Sequence, residues 1–297
     1  MLPTGTFDWS RVDVAVPPPS GRLPGIDMAG FGHRGQALAD ITMVAHPSVT
    51  LLVDLSEEPG TVFEASGRHV RGSVVAGLAP GDLRVSGRGA RECLQIRLDP
   101  VVAAAVFGAS TDLGGTLLSL ADVWGPDAGR VEDRLRAAAS WDERFTLAAG
   151  ILARRLDARP PVDPEVVHAW RRMSAGRGQV RVDDLAGEVG WSRKRLWSRF
   201  RAQLGIAPKR AARLVRFDHA AHLLAAGRCA AGVAAESGYA DQSHLHREVK
   251  AFTGLTATAV GAAPWLAIDE VAWPAGVSKL RRETRAAFRS PTYRGRP

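Results

Sequence analysis

Three features of the sequence predict an α+β chain in two parts. Short apolar runs broken by Gly and Pro fill residues 40–100, the hydrophobic period turns helical after Pro100, and the second half repeats itself at a spacing of 48–49 residues. Together they imply a small β-rich N-terminal domain with helices behind it, then an all-α domain of two helix–turn–helix units joined by a linker helix. A chain of 297 residues is long enough to bury two such cores.

Residues 1–30, with Pro17-Pro18-Pro19 and scattered Gly, hold no lasting period and are expected to form a loosely ordered lead-in. Thr50 to Leu55 and His69 to Ala76 are expected strands. Glu92 to Leu98 is the clearest, because Leu94, Ile96 and Leu98 alternate with Gln95 and Arg97. Strands this short and this closely spaced point to a small sandwich or barrel over 31–158. Beyond Pro100, Val101 to Phe107, Arg130 to Ala139 and Trp141 to Leu156 read as helices. The run Arg159-Pro160-Pro161-Val162-Asp163-Pro164 breaks the chain and marks the boundary to the second domain, 164–263. A basic extension, 264–297, follows; Ser278 to Pro297 carries seven basic residues and one acidic, and reads as a helix followed by a disordered tail.

Composition narrows the function classes. No apolar run approaches bilayer length and no basic–apolar leader opens the chain, so a cytoplasmic location away from membranes is expected. Cys93 and Cys229 alone cannot build a disulfide framework or a four-cysteine zinc site. The net charge of +8 is unevenly divided: residues 1–160 hold 16 Lys+Arg against 19 Asp+Glu, whereas 161–297 hold 23 against 12. A polyanion-binding module joined to a near-neutral one fits that division, and so does an Arg-rich solvated surface.

The repeat decides between them. LAGEVGWSRKRLWSRFRAQLG (185–205) and VAAESGYADQSHLHREVKAFTG (233–254) align Ala186 with Ala234, Glu188 with Glu236, Gly190 with Gly238 and Trp191 with Tyr239. The offset is 48 before the turn and 49 after it, one insertion in the second turn. Small Ala residues let two helices cross closely, and Gly allows the left-handed backbone of a tight turn. Ser192 and Asp241 stand where N-caps belong, and Leu196/Phe200 and Leu245/Val249 form the inward stripes. Helical geometry then turns Arg193, Lys194, Trp197, Ser198 and Arg201 outward in the first unit, and Gln242, Ser243, His246, Arg247 and Lys250 in the second. Arg can fork onto guanine and Gln can pair with adenine, so the expected recognition helices span about 193–203 and 242–252. Pro208 to Ala226 reads as one helix of nineteen residues, about 28 Å at 1.5 Å per residue, near the ~34 Å between successive major grooves.

These residues resemble the AraC/XylS family of transcription regulators, over roughly Pro164 to Ala263. The resemblance rests on WSRKRLWSRFRAQLGIAPKR, RLVRFDHAAHLLAAG and VAAESGYADQSHLHREVKAFTG. It implies a seven-helix DNA-binding domain in which the ten outward residues contact DNA, and an N-terminal domain that senses an effector or dimerises. Two departures, Val249 in place of a large aromatic and Thr256-Ala257 in place of Thr-Pro, imply looser packing of the second unit. The candidate partners are double-stranded operator DNA, a small-molecule effector, RNA polymerase and a second copy held through Arg130 to Leu156.

No catalytic residue, metal site or cofactor is expected. His33, His46 and His69 are scattered without His-x-His spacing, and His244 and His246 lack a nucleophile partner, so both read as neighbours of DNA. Gly87-Arg88-Gly89 is followed by neither Lys-Ser/Thr nor a helix and is no phosphate loop. Cys93 sits on the alternating strand and reads as a quiet thiol or a thiol sensor; Cys229 reads as core or loop at the start of the second unit. A DNA-repair enzyme merely localised by its basic half would need a zinc-activated cysteine that two cysteines cannot supply.

Overall fold

The computed structural model describes residues 12–33, 37–43, 45–64, 67–78, 83–88, 91–108, 117–158, 161–263 and 272–273. Gly89, Arg159, Pro160, the first eleven residues and the basic run 278–297 lie outside the described residues.

The chain is α+β. Its N-terminal part stacks two antiparallel sheets. Strands β1 (Val12–Ala15), β2 (Ile26–His33), β4 (Val49–Asp54), β7 (Val74–Ala76), β9 (Arg91–Leu98) and β10 (Leu117–Ser119) form the larger sheet, ordered β1-β2-β9-β4-β7-β10. Strands β3 (Ala37–Met43), β5 (Thr61–Glu64), β6 (His69–Arg71) and β8 (Leu83–Arg88) form the smaller, ordered β3-β8-β5-β6. The alternation read on β9 fixes which face meets what. Leu94, Ile96 and Leu98 are buried with Leu51 and Val53 in the main core, while Leu52, Val74, Ala76 and Leu117 turn the other way and pack on Val62 and Leu83 of the smaller sheet.

Two expectations change here. Residues 12–30 are not a loose lead-in: they supply β1, a short 3-10 turn at Pro19–Gly21 and the start of β2. Their apolar side chains are too few for a visible period, but backbone pairing with β9 orders them. The strand expected over His69 to Ala76 is two strands in different sheets, because the chain turns at Gly72 (φ +82°), whose N–H donates to the Gly60 carbonyl.

Helices α1 (Pro100–Phe107), α2 (Leu120–Trp124), α3 (Asp127–Ala137) and α4 (Trp141–Asp157) follow. The helix α3 begins three residues before the expected Arg130. Ser140 caps α4, accepting from the Glu143 amide. Trp141 of α4 lies over Gly30 of β2, where any Cβ would strike its ring.

The second part is seven helices: α5 (Pro164–Ala175), α6 (Val182–Glu188), α7 (Arg193–Leu204), α8 (Pro208–Ala225), α9 (Ala230–Glu236), α10 (Gln242–Thr253) and α11 (Ala257–Gly261). It is joined to the first part by more than the connecting segment. The Asp99 carboxylate caps α1 through the Val101 amide and, with its other oxygen, accepts from Trp170 Nε1 of α5 at 2.9 Å. His46 Nε2 stands 3.4 Å from the Asp218 carboxylate on α8, and α1 also touches α7.

Candidate nucleic-acid interface

Each repeat folds as a short helix, a turn and a longer helix: α6 and α7 in the first, α9 and α10 in the second. Gly190 (φ +66°) and Gly238 (φ +70°) take the left-handed conformation that the turns require. Behind them, the Trp191 and Tyr239 amides donate back to the Ala186 and Ala234 carbonyls at 2.9 Å, closing both turns identically. The one-residue insertion is Ala240, placed between Tyr239 and the cap of α10. Ser192 accepts from the Arg195 amide at 3.2 Å and Asp241 from the His244 amide at 2.6 Å, so both long helices start on a capped end.

The inward stripes are closed. Leu196, Phe200 and Leu204 are buried in α7, and Leu245, Val249 and Phe252 in α10. The looser second unit implied by Val249 and Ala257 is not found. Phe252 supplies the missing aromatic one turn later and stacks on Phe217 of α8 with centroids 4.9 Å apart. Ala257 is buried at the start of α11, and Thr256 caps that helix through the Ala259 amide without help from a proline.

All ten outward residues are exposed: Arg193, Lys194, Trp197, Ser198 and Arg201 on α7, and Gln242, Ser243, His246, Arg247 and Lys250 on α10. They are not alike in company. Arg193 Nε meets the Asp183 carboxylate of α6 at 2.6 Å, with both side chains substantially in solvent. Arg201 lies over the Trp197 ring at 5.2 Å, and Trp197, 46% exposed, is the barest large apolar side chain among the described residues. Lys194, Arg247 and Lys250 carry no ion pair among the described residues. His244, grouped with His246 in the sequence, turns inward instead: its ring meets Tyr239 edge-on at 5.3 Å and its Nε2 stands 3.6 Å from Glu248.

Behind the two faces lies a framework of charged and aromatic contacts that the repeat alone did not reveal. Glu248 is buried on α10 and accepts from Arg213 Nε of α8 at 2.6 Å. Arg216 of α8 covers the Tyr239 ring at 4.7 Å, and burial pushes the Tyr239 hydroxyl up to about 12. In the first unit the equivalent cover comes from within α7, where Arg195 lies over Trp191 at 4.6 Å. Glu188 accepts from Arg172 and from His168 of α5, which together bring its carboxyl down to about 2. Burial pushes the Asp163 carboxyl up, but hydrogen bonds from Gln203 and from Arg199, which forks onto it, outweigh that push and lower its pKa. Burial first, then the charge of Arg177, lowers the pKa of His219 in the middle of α8.

These contacts brace one unit against the other. Gln179, from the loop between α5 and α6, donates to the Glu236 carbonyl at 3.1 Å and fills the space where a Cβ on Gly238 would lie. The next residue back, Gly178, presses against the backbone of α8 at Ala212 and Arg216. The linker helix has 18 residues, so it is about 27 Å long.

Of the two cysteines, Cys93 is half-buried and packs beside the cluster between the sheets. Cys229 is exposed at the N-cap position of α9, not in the core. No helix among the described residues is long and apolar enough to cross a membrane.

Residues 185–262 match the model of a family described as a helix-turn-helix domain. Among solved structures, the chain is similar to ToxT from Vibrio cholerae O395, at 10% identity over 80% of this chain and 98% of that one, with a TM-score of 0.47. It is also similar to the C-terminal domain of AraT, a response regulator from Geobacillus stearothermophilus, at 19% identity over 34% of this chain and 86% of that one, TM-score 0.32. A third is the AraC-like transcriptional activator CuxR, at 15% identity over 68% of this chain and 84% of that one, TM-score 0.28. No curated protein matches the chain.

Proposed function

We propose that the chain, whose residues 185–262 match a helix-turn-helix domain and whose repeats resemble the AraC/XylS type, is a transcription regulator that reads two successive major grooves of an operator. The observation that carries this reading is the pair of capped helices, α7 and α10, whose polar faces are exposed while their apolar stripes close on one linker helix. A spacer of about 27 Å, braced by Gln179 and Gly178, suits two reading heads one DNA turn apart on one face of the duplex. In this reading Arg193, Gln242 and Ser243, near the N-terminal ends of their helices, meet base edges. Lys194, Arg201, Arg247 and Lys250 meet phosphates and set the register, with Ser198 and His246 beside them. Trp197 offers its bare ring to a thymine methyl or a sugar.

The part before residue 158 acts as the sensing or dimerising domain, within a cytoplasmic protein that works alongside RNA polymerase. Its route to the DNA-binding part is physical: α1 touches α7, and Asp99 and His46 hold α5 and α8. An effector or a second copy that repacks this contact would shift how readily α7 is presented.

Genome-wide footprinting gives the operator. Gel shifts on it should then show Lys194→Ala and Arg247→Ala weakened with their circular dichroism unchanged. Equal affinity for both variants and the parent would refute the contact assignment. Equal affinity for operator and scrambled duplex would replace the regulator with a non-specific architectural binder.

A further inference from the structure

The larger sheet has one broad face with two different covers. Register places Ala29 of β2, Gln95 of β9, Leu52 of β4 and Val74 of β7 in a single row on that face. At the β4–β7 end the row is covered by Val62 and Leu83 of the smaller sheet. At the β1–β2 end it is covered by Ala272 and Trp273, which lie beyond the helix-turn-helix domain in sequence. Val14 and Phe31, cross-strand neighbours on β1 and β2, flank them. Trp273 is 5% exposed and Ala29 0% exposed. The Arg97 guanidinium of β9 lies 4.2 Å from the centre of the Trp273 ring, within cation–π distance.

We propose that the outer face of β1, β2 and β9 is a docking site for an aromatic side chain, filled in cis by Trp273. Through it the chain leaving the second part is strapped back onto the first. The apolar floor of Ala29, Val14 and Phe31 takes the body of the ring, and Arg97 covers its π-face. The indole N–H has no acceptor among the described residues, so the ring and not the N–H supplies the recognition. The strap has a mechanical consequence. Nine peptide steps separate Ala263 from Ala272, at most about 30 Å of chain. While Trp273 is docked, the end of α11 cannot leave the sheet by more than that length. The docking itself does not rest on the DNA-binding reading.

Hydrogen–deuterium exchange on the full chain tests it, comparing the parent with W273A and W273F. In W273A the amides of 12–33 should exchange roughly tenfold faster or more, as expected when a large apolar side chain is withdrawn, while those of β4 and β7 stay unchanged. W273F should stay much closer to the parent than W273A does, because it retains a ring for Arg97 and gives up only the unpartnered donor and part of the ring's area. Protection of 12–33 should also be the same at two protein concentrations a hundredfold apart. Unchanged exchange in W273A, acceleration spread evenly over β4 and β7, loss of protection in W273F as large as in W273A, or loss on dilution would each overturn docking in cis.

Discussion

If α7 and α10 lie in major grooves, their cations replace counterions on the phosphates, and affinity must fall with salt at a slope set by their number. Four are exposed on the two faces where phosphates would lie: Lys194, Arg201, Arg247 and Lys250. At about −0.9 per phosphate neutralised, four give a slope near −3.6, or roughly a 150-fold loss of affinity between 50 and 200 mM salt. Lys194 and Lys250 are the cleanest probes. Each stands on a different recognition helix, and neither has an ion pair whose loss would disturb the fold. The double substitution Lys194→Ala, Lys250→Ala should make the slope shallower by about 1.8, so that the same salt step costs roughly 12-fold. Fluorescence anisotropy of a labelled duplex, titrated at five salt concentrations, reads this directly. The basic residues of 278–297 add equally to both proteins and cancel in the difference. A slope that moves by less than about 0.5 in a folded double variant would refute the placement of these faces against DNA.

Three further outcomes follow from the packing. Gly178→Ala should destabilise far more than Gly190→Ala in thermal unfolding. Both positions have positive φ, costing about 1 kcal/mol, but a Cβ at Gly178 would run into the Ala212 carbonyl oxygen and the Arg216 amide, whereas Gly190 faces open space. Glu188, held near 2 by Arg172 and His168, contributes stability that is fully present above its unfolded pKa near 4.5 and is lost as pH falls through 2. In Glu188→Gln, urea midpoints measured from pH 5 down to pH 2 should therefore fall less steeply than in the parent. Trp170→Phe removes the indole donor to Asp99 while leaving the α1 cap in place, and should lower stability by about 1 kcal/mol. Asp99→Ala should cost more in the same unfolding assay, since it removes cap and acceptor together.

The helix-turn-helix domain was legible from local chemistry. Its glycines, caps and i, i+4 stripes lie within about twenty residues of one another, so spacing alone fixed the helix starts at Arg193 and Gln242 and which side of each faces out. The N-terminal domain was legible only where a strand alternated clearly, as on β9. The strand β1, which carries no pattern of its own, is defined by pairing with β2, itself paired with β9, eighty residues ahead in sequence.

Sequence by itself therefore settled the units, the outward faces and the charge division, because these depend on helical period and on residues close along the chain. Tertiary structure alone decided how the units are held: Glu248 beneath Arg213, Gln179 against Gly238, Trp170 on Asp99, and Trp273 on a sheet more than 170 residues earlier. Such contacts carry no period. They arise where folded surfaces meet, and a side chain's own neighbours in sequence do not encode its partner across a core.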